Sequence, residues 1–300
     1  MSTYSKAGPI SLKANICAYP PTRALLDGAV SSDLISFDFA GLKNAHAGFK
    51  EMLRHNRFDV SEMAVATFLQ ACELGKPFSM LPMPVLGRFH HDSIGYNDGL
   101  HPSMSPGDLA GKRVVVRSYT QTTGLWVRGV LQNDFGVDPD SVTWVCFDAP
   151  HLEEFTDPPS VIFAASDKDP ARMLVDGEVD AGILGRNLPD DPRIKPLIEN
   201  PDDAARDWFD RNSFVPPNHF VIVPNALCDD RPDVVTELWR MLVESRHLAS
   251  GNGPDAWPVG IEANRQALEC AIRYAHQQHM ITRPIEVSAL FHPLVRSLAP

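Results

Sequence analysis

The order of short apolar runs and amphipathic stretches restricts the fold of this chain more than any other feature of its sequence. In residues 12–87 a strand pattern, LKANICAY, is followed by a helical pattern, TRALLDGAV, and the alternation continues to PFSMLPMPVLG at 77–87. A second alternating series runs from KRVVVRS at 112–118 to DAGILG at 180–185. Strand patterns that alternate with helical patterns predict an α/β fold.

The turn-rich segment YNDGLHPSMSPGDLAG at 96–111 separates the two series, and the apolar run HFVIVP at 219–224 follows two prolines. We interpret this run as a strand that returns toward the first unit. The prediction is a discontinuous first lobe of residues 1–109 and 218–300, with a second lobe of residues 110–217 inserted in it. Two such lobes enclose a ligand cleft, because open α/β sheets bind ligands outside the carboxyl ends of their strands.

The charge balance limits the partners that the chain can have. Its formal net charge is −11 at pH 7, with 44% hydrophobic and 22% charged residues. This composition is that of an ordinary soluble globular protein, and the negative charge argues against nucleic acid or an anionic membrane as a partner. A small anionic substrate would require a local basic pocket. The sequence leaves the oligomeric state, monomer or homo-oligomer, open.

Neither a disulfide framework nor a targeting segment is visible in the sequence. The five cysteines are widely separated and form no CxxC pair, so reduced thiols are expected. The first thirty residues lack the basic start, apolar run and small-residue cleavage site of a secretion signal. No run of about 18 apolar residues occurs either. A cytoplasmic protein is therefore the expectation.

The loop between KRVVVRS and the next helical pattern is a candidate anion site. Residues 118–123 connect the strand to a helix that begins at about Gly124. The free N–H groups at a helix start, together with the hydroxyls of Thr122 and Thr123, bind anions. Either threonine could equally be a plain helix N-cap, which contributes about 1 kcal/mol and binds nothing. Both interpretations stay open on the sequence.

The stretch RFHHDS at 88–93 gathers two histidines and an aspartate, which suit proton transfer, metal binding or a polar strand end. If the stretch is a strand, His90 and Asp92 share one face and His91 lies on the other. The three side chains then cannot easily bind one ion. For a histidine considered alone, a hydrogen-bonded position at a strand end is the commoner situation.

Several motifs, in order along the chain, carry a family resemblance. From TRALLDG at 22–28 to the strand that ends at 223, the sequence resembles the 4,5-dihydroxyphthalate decarboxylase family. The resemblance implies a two-lobed, type 2 periplasmic-binding-protein-like fold and the decarboxylation of a hydroxylated aromatic carboxylate such as 4,5-dihydroxyphthalate. The matching motifs are FDVSEMAVATFL at 58–69, VRSYTQTTGLWVRGVL at 116–131, VTWV at 142–145, HLEEFTDPP at 151–159 and PNHFVIV at 217–223.

Two departures from the family pattern bear on the substrate. Pro20 and Pro21 follow Tyr19 where members of the family often carry an aspartate. In addition, FHHDS replaces an FRHS strand, so that His90 stands in place of an arginine and Asp92 in place of a serine. The anionic groups of the substrate are expected to differ accordingly.

The resemblance also assigns catalytic roles. His91 falls on the family's histidine, and His151 opens a run that matches the family's H-x-E-E. We expect His91 or His219 to protonate the ring, His151 to act as the base on a substrate hydroxyl, and Glu62 or Asp92 to orient an imidazole. From the residues alone, Glu62 could equally be a first-turn carboxylate favoured by the helix dipole, and His219 a hinge residue.

The carboxylate that such a substrate retains is expected to bind basic and hydroxyl groups. Arg23 starts the helix after the first strand and Arg117 ends a later strand, so both can form charge-assisted hydrogen bonds, although ordinary surface positions are equally open. Arg128, inside a helix, is expected to be solvated or paired and lies outside the predicted site. The predicted substrate-binding set is completed by His90, Tyr119, Thr122 and Thr123.

No organic cofactor is expected, because an ionised hydroxyl para to the carboxyl group itself supplies the electron density that expels CO2. A metal-assisted decarboxylase or hydrolase is one alternative, in which a divalent ion binds His91, His151, His219 and Glu154. The other alternative is a solute-binding or sensor protein for an aromatic or other organic anion, because the same fold serves many pure binding proteins.

Overall fold

The computed structural model describes Tyr4, residues 7–251 and residues 253–299. The strands in these ranges are β1 (Ile10–Asn15), β2 (Ile35–Phe39), β3 (Val60–Ala64), β4 (Phe78–Gly87), β5 (Ile94–Asn97), β6 (Arg113–Val116), β7 (Thr143–Cys146), β8 (Val161–Phe163), β9 (Ala181–Ile183), β10 (Ile194–Pro196) and β11 (Pro217–Pro224). The α-helices are α1 (Pro20–Leu26), α2 (Phe49–His55), α3 (Val65–Glu73), α4 (Thr122–Phe135), α5 (Pro170–Val175), α6 (Pro201–Asn212), α7 (Asn225–Asp230), α8 (Pro232–His247), α9 (Ile261–Gln277) and α10 (Pro293–Arg296).

The chain forms two compact units, each with its own sheet. The first unit comprises Met1–Arg88, Pro217–Ile272 and Arg283–Pro300, and the second comprises Phe89–Pro216 and Arg273–Thr282. In the described ranges no helix combines the length and the apolar character that crossing a membrane requires.

The sheet of the first unit has the strand order β2-β1-β3-β11-β4. β1 is parallel to both of its neighbours, with Leu12 opposite Phe37 and Asn15 opposite Ser61. β11 runs antiparallel between β3 and β4. From β1 the chain continues to β2 on one side, whereas β3 pairs on the other side. β1 and β3 therefore flank a topological switch point, where open α/β sheets bind ligands.

The sheet of the second unit has the strand order β10-β5-β9-β6-β7-β8. β6 is parallel to β7 and to β9, and β7 is parallel to β8, whereas β5 is antiparallel to both β9 and β10. After β6 the chain moves to β7 and β8 on one side and then returns to β9 on the other. The carboxyl end of β6, where α4 begins, therefore lies at the switch point of this sheet.

The bounds of the two units differ from the predicted lobes in two places. Residues 89–109 belong to the second unit because β5, which lies within them, hydrogen-bonds to β9 and β10. Residues 273–282 also belong to the second unit. The Tyr274 ring lies 5.7 Å from that of Trp126 on α4, and Gln278 hydrogen-bonds to the same helix. The sequence patterns gave no signal for either contact.

The strand considered as one possibility for residues 88–93 does not form. β4 ends at Gly87, and residues 91–93 form a 3-10 turn in which the N–H of Ser93 donates to the carbonyl of His90 at 3.0 Å. The backbone therefore bends at these residues, and the alternation of faces that a strand would give His90, His91 and Asp92 does not apply.

Candidate functional site

A buried carboxylate and a histidine meet in the sheet of the first unit. The Glu62 side chain is fully buried, and its Oε2 lies 3.0 Å from Nδ1 of His219, whose side chain is 16% exposed. The imidazole ring also packs edge-on against Phe49, with 5.4 Å between ring centroids. The structure thus brings together two of the predicted catalytic residues, which are 157 positions apart in the sequence.

Strand pairing explains how these two side chains meet. β11 pairs with β3 in antiparallel register, with His219 opposite Ala64 and Val221 opposite Glu62. Residues opposite each other share a face, and so do residues two apart in one strand. Glu62 and His219 are therefore diagonal neighbours on the same face, a separation that long side chains bridge.

The loop that leaves β1 completes the surroundings of the carboxylate. The backbone N–H of Cys17 donates to Oε1 of Glu62 at 2.5 Å. Thr22 fixes this loop, since its hydroxyl donates to the carbonyl of Cys17 at 2.6 Å and accepts from the N–H of Tyr19 at 2.9 Å. The carboxylate of Glu62 on β3 thus lies at the switch point, where it accepts a hydrogen bond from the loop that follows β1. Both of its oxygens are hydrogen-bonded.

The groups around Glu62 are held in their protonated forms. Burial, and then the charge of Glu62, raise the pKa of the Tyr19 hydroxyl far above its usual value. Burial and the same carboxylate raise the pKa of the Cys17 thiol. Both groups therefore stay neutral at neutral pH, which leaves the imidazole of His219 as the group beside Glu62 that can exchange a proton.

The hydrogen bond between Glu62 and His219 determines which imidazole nitrogen can transfer a proton. A carboxylate accepts hydrogen bonds, so Nδ1 of His219 carries the hydrogen and its other nitrogen, Nε2, remains for chemistry. In the neutral ring Nε2 accepts a proton, and in the imidazolium form it donates one. The buried carboxylate orients the ring and stabilises its positive charge. A base held by an orienting carboxylate is the arrangement that general acid–base catalysis uses.

The alternative prediction for Glu62, a carboxylate in the first turn of a helix, is wrong. Glu62 is the third residue of β3, and α3 begins only at Val65. All five residues of β3 are buried, so the carboxylate is held inside the sheet and not at a helix end.

The predicted anion site lies at the start of α4, in the second unit. The helix begins at Thr122, two residues earlier than expected, with Gln121 as its N-cap and no side-chain cap hydrogen bond. The alternative in which Thr122 or Thr123 is the N-cap is therefore wrong. Thr122 and Thr123 are both buried, and the Ser118 and Thr120 hydroxyls lie 3.3 Å apart in the preceding loop.

The two arginines predicted to bind a carboxylate have surface positions. Arg23 lies in α1 and is exposed. Arg117 follows β6, and its Nη1 lies 3.8 Å from Oδ2 of Asp148, with both side chains more than a third exposed. An exposed pair at this distance contributes little to stability. The substrate-binding roles of Arg23 and Arg117 stay predictions.

Arg128 departs most from the sequence prediction, which has it solvated or paired. Its side chain is fully buried, with the guanidinium 4.0 Å from the ring centroid of Tyr119 and 5.1 Å from that of Trp144. Its Nε donates to Oε1 of Gln278 at 2.8 Å, and its Nη2 donates to the Tyr119 carbonyl at 2.5 Å. Tyr119, predicted to bind substrate, is itself buried, and its hydroxyl donates to the Gln278 carbonyl.

His90, His91 and Asp92 lie in the second unit, where the two imidazoles are buried and the aspartate is exposed. The His91 ring packs against Trp208 at 6.3 Å and Phe89 at 6.5 Å, at the wall of a surface cavity of about 1090 Å³. Burial lowers the pKa of His91 to about 4, although Asp92 opposes this shift. His91 is therefore neutral at pH 7.

We expect His91 to make the protein less stable in mild acid. Because its folded-state pKa of about 4 lies below the ordinary 6.5, its contribution to stability is complete above pH 6.5 and is lost as the pH falls toward 4. Replacing His91 by phenylalanine should reduce the stability lost between pH 7 and pH 5 by about 1–2 kcal/mol, as measured by urea unfolding. His55→Gln, at an exposed histidine, is the matched control. Equal pH dependence of wild type and His91→Phe would contradict this expectation.

The remaining predicted residues do not form a cluster of metal ligands. His151 is partly buried and Glu154 exposed, in the segment that follows β7. In the part of the chain that the structure describes, no three histidine, cysteine, aspartate or glutamate side chains are placed to hold one ion. The proposed ligand set of His91, His151, His219 and Glu154 stays a prediction.

Sequence reasoning missed two members of these sites. Cys17 contributes a backbone N–H to Glu62, and only its position directly after a strand could have indicated this role. Arg128 is buried through contacts with Gln278, 150 positions away, for which no local sequence signal exists.

The comparisons with known proteins identify the family. The chain is 30% identical over 213 residues to 4,5-dihydroxyphthalate decarboxylase of Pseudomonas putida, a match that covers 67% of this chain and 81% of that protein. It is 24% identical to the Comamonas testosteroni protein of the same name, over 95% of this chain and 97% of that protein. No family model matches the chain.

Among solved structures, the chain is similar to a putative periplasmic sulfonate-binding protein, SsuA, from Methylobacillus flagellatus KT. The TM-score is 0.60 at 11% identity, and the match covers 96% of this chain and 93% of that one. At this identity the likeness shows the fold alone, which is the periplasmic-binding-protein-like fold that the resemblance implied. The match to the Pseudomonas putida enzyme establishes that the chain belongs to the 4,5-dihydroxyphthalate decarboxylase family.

Proposed function

We propose that the protein is a carbon–carbon lyase that decarboxylates a hydroxylated aromatic dicarboxylate such as 4,5-dihydroxyphthalate, with His219 as its acid–base group and Glu62 as the partner of His219. The names of the two relatives support the reaction class. The observation that carries the assignment of residues is the hydrogen bond between buried Glu62 and partly exposed His219, at the switch point of the first sheet.

The substrate determines what the protein must supply. A hydroxyl para to the departing carboxylate, once ionised, directs electron density to the ring carbon that bears this carboxylate. A proton added to that carbon gives a non-aromatic intermediate. The C–C bond to the carboxylate then breaks, CO2 leaves, and its bonding electrons restore the aromatic ring. One proton is consumed for each CO2 released, and for 4,5-dihydroxyphthalate the product is 3,4-dihydroxybenzoate.

Within this scheme His219 in its imidazolium form donates the proton from Nε2 to the ring carbon. The negative charge of Glu62 stabilises this imidazolium, and the hydrogen bond at Nδ1 fixes the direction in which Nε2 points. After the reaction, the neutral ring takes up a proton again from solvent. Arg23, on α1 of the same unit, is proposed to bind the retained carboxylate. The proposed roles of His151 as the base on the hydroxyl and of His91 as an alternative acid are supported only by the family resemblance.

A direct experiment is turnover of a panel of aromatic acids by the purified protein, followed by CO2 release and by chromatography of the ring product. We expect 4,5-dihydroxyphthalate to give CO2 and 3,4-dihydroxybenzoate in equal amounts. Phthalate is the matched control, since it has both carboxylates and no hydroxyl to supply electrons, and we expect it to bind without reacting. Binding of both compounds with no CO2 from either would contradict the proposal and favour a solute-binding protein.

A further inference from the structure

A single buried hydroxyl holds the loop that leaves β1. The side chain of Thr22, on α1, is fully buried. Its hydroxyl donates to the carbonyl of Cys17 at 2.6 Å and accepts from the N–H of Tyr19 at 2.9 Å. Because a hydroxyl has one hydrogen to donate, the hydrogen of Thr22 is used on Cys17 and a lone pair is used on Tyr19. One side chain therefore binds the loop at two of its residues.

The chain on either side restricts the same loop. β1 ends at Asn15, and the first two residues of α1 are Pro20 and Pro21. A proline confines the residue before it to extended backbone, and Tyr19 has this conformation, with φ −114° and ψ 168°. The loop thus runs between two fixed ends, and the hydroxyl of Thr22 holds the part that lies between them, at Cys17.

The hydrogen bond to Cys17 acts on Glu62 through one residue. The carbonyl and the N–H of Cys17 are separated by two rotatable backbone bonds, so a fixed carbonyl restricts the direction in which the N–H points. This N–H donates to Oε1 of Glu62 at 2.5 Å, and Oε2 of the same carboxylate lies 3.0 Å from Nδ1 of His219. The carboxylate is planar, so a rotation that breaks the first contact also disturbs the second. Hydrogen bonds in series therefore connect Thr22 to the imidazole.

We propose that Thr22 is a positioning residue for the acid–base pair, and that its hydroxyl, through Cys17, holds Glu62 in the orientation that keeps the hydrogen of His219 on Nδ1 and presents Nε2 to the substrate. The inference rests on the proposed function, because it concerns the two residues that this function uses. Without the hydroxyl, the Cys17 carbonyl loses its partner, the loop can turn and the carboxylate can rotate. The imidazole hydrogen is then shared between both nitrogens, and the direction of proton transfer is lost.

The other role open to Thr22 is purely structural. By accepting the N–H of Tyr19, its hydroxyl also contributes to the start of α1, and contacts of this kind stabilise helices. A loss of stability in a Thr22 variant is expected from both roles and does not distinguish them. The experiment must therefore measure whether the effect of Thr22 depends on Glu62 and reaches His219.

Steady-state kinetics on 4,5-dihydroxyphthalate compare Thr22→Val, which replaces the hydroxyl by a methyl group, with Thr22→Ser, which keeps it. We expect Thr22→Val to lower kcat by about tenfold with little change in KM, and Thr22→Ser to stay within about twofold of wild type. Ser245→Ala is the matched control. It removes a different buried hydroxyl that binds α1, the one that accepts from the N–H of Leu25 at 3.2 Å, and its kcat should equal that of wild type.

The same substitution in a Glu62→Gln protein separates the two roles. A positioning residue that acts through the carboxylate should then change kcat by less than about twofold, because glutamine no longer fixes the hydrogen of His219 on Nδ1. A purely structural Thr22 lowers kcat by the same factor in both backgrounds, and that result would overturn the proposal.

A second measurement does not depend on turnover. Nitrogen NMR of isotope-labelled histidines reports which nitrogen of a neutral imidazole carries the hydrogen, and a His219→Gln protein identifies the His219 signals by their loss. We expect the Nδ1–H form in wild type, Thr22→Ser and Ser245→Ala, and a mixture of both forms in Thr22→Val. Wild-type His219 signals in a folded Thr22→Val protein would overturn the proposal.

If Thr22→Val does not fold, Thr22→Ala replaces it, because alanine places no methyl group against the Cys17 carbonyl, and the same outcomes apply. The NMR result also separates this inference from the proposed function. A protein that shows the expected change of the His219 signals in Thr22→Val, but whose wild type releases no CO2, would refute the proposed function and leave the positioning role of Thr22 in place.

Discussion

Replacing His219 with glutamine is expected to lower kcat for 4,5-dihydroxyphthalate by about 10²–10⁴-fold, the usual contribution of a positioned general acid. Glutamine can still hydrogen-bond to Glu62 but cannot donate a proton to carbon. KM should change little, because the imidazole is assigned to the transition state and not to ground-state binding. Steady-state kinetics of the purified variant, with its melting curve as a check of folding, measure this effect.

His55→Gln is the matched control for the His219 variant, since His55 is an exposed histidine at the end of α2. Its kcat should equal that of wild type. A folded His219→Gln protein that turns over within a factor of about two of wild type, well under the 10²-fold floor expected for an acid–base group, would remove His219 from the mechanism.

Replacing Gly129 with alanine is expected to destabilise the second unit by about 2 kcal/mol or more. An added Cβ would lie 1.8 Å from Cδ2 and 2.2 Å from Cε2 of Tyr274, a ring that is 2% exposed and packed against Trp126. Alanine is favoured over glycine inside a helix by about 1 kcal/mol, so the sign of the result depends on the clash. Because the ring is buried and packed against Trp126, overpacking should dominate. Urea unfolding measures the change.

Gly107→Ala is the control for the Gly129 variant, because beyond its two chain neighbours the added Cβ would approach no atom closer than Oγ of Ser105, at 3.9 Å. We expect this substitution to change stability by less than about 0.5 kcal/mol. The double variant Gly129→Ala/Tyr274→Leu should recover part of the lost stability, because the smaller side chain vacates the position of the ring. A Gly129→Ala protein as stable as Gly107→Ala would show that Tyr274 is not fixed in this position.

The sequence predicted the parts of this structure that local patterns encode. The alternation of strand and helix patterns corresponds to the two α/β sheets, and the strand at 219–224 does return to the first unit as part of β11. Apolar periodicity is local and strong in such elements. It does not report which strands pair, so the place of β5 in the second sheet could not be read from it.

The site was less predictable, because burial of polar groups depends on distant partners. The sequence leaves Glu62 with two interpretations, a catalytic carboxylate or a helix-start residue, because a carboxylate inside a fully buried strand runs against the usual pattern. The N–H of Cys17 and the imidazole of His219, which is 157 positions away, make this burial tolerable. Arg128 was set aside for the same reason. The rings of Tyr119 and Trp144 and the side chain of Gln278 surround it, and none of these contacts has a signature in the sequence.

The central claim is that Glu62 and His219 act as one unit, and a double-variant cycle on kcat tests it most directly. Glu62→Gln keeps a similar shape but cannot stabilise an imidazolium, so it should slow turnover only while His219 is present. The account predicts that Glu62→Gln/His219→Gln is no slower than His219→Gln alone. If each substitution lowers kcat by the same factor whether or not the other is present, the two residues act independently. That result would contradict the account.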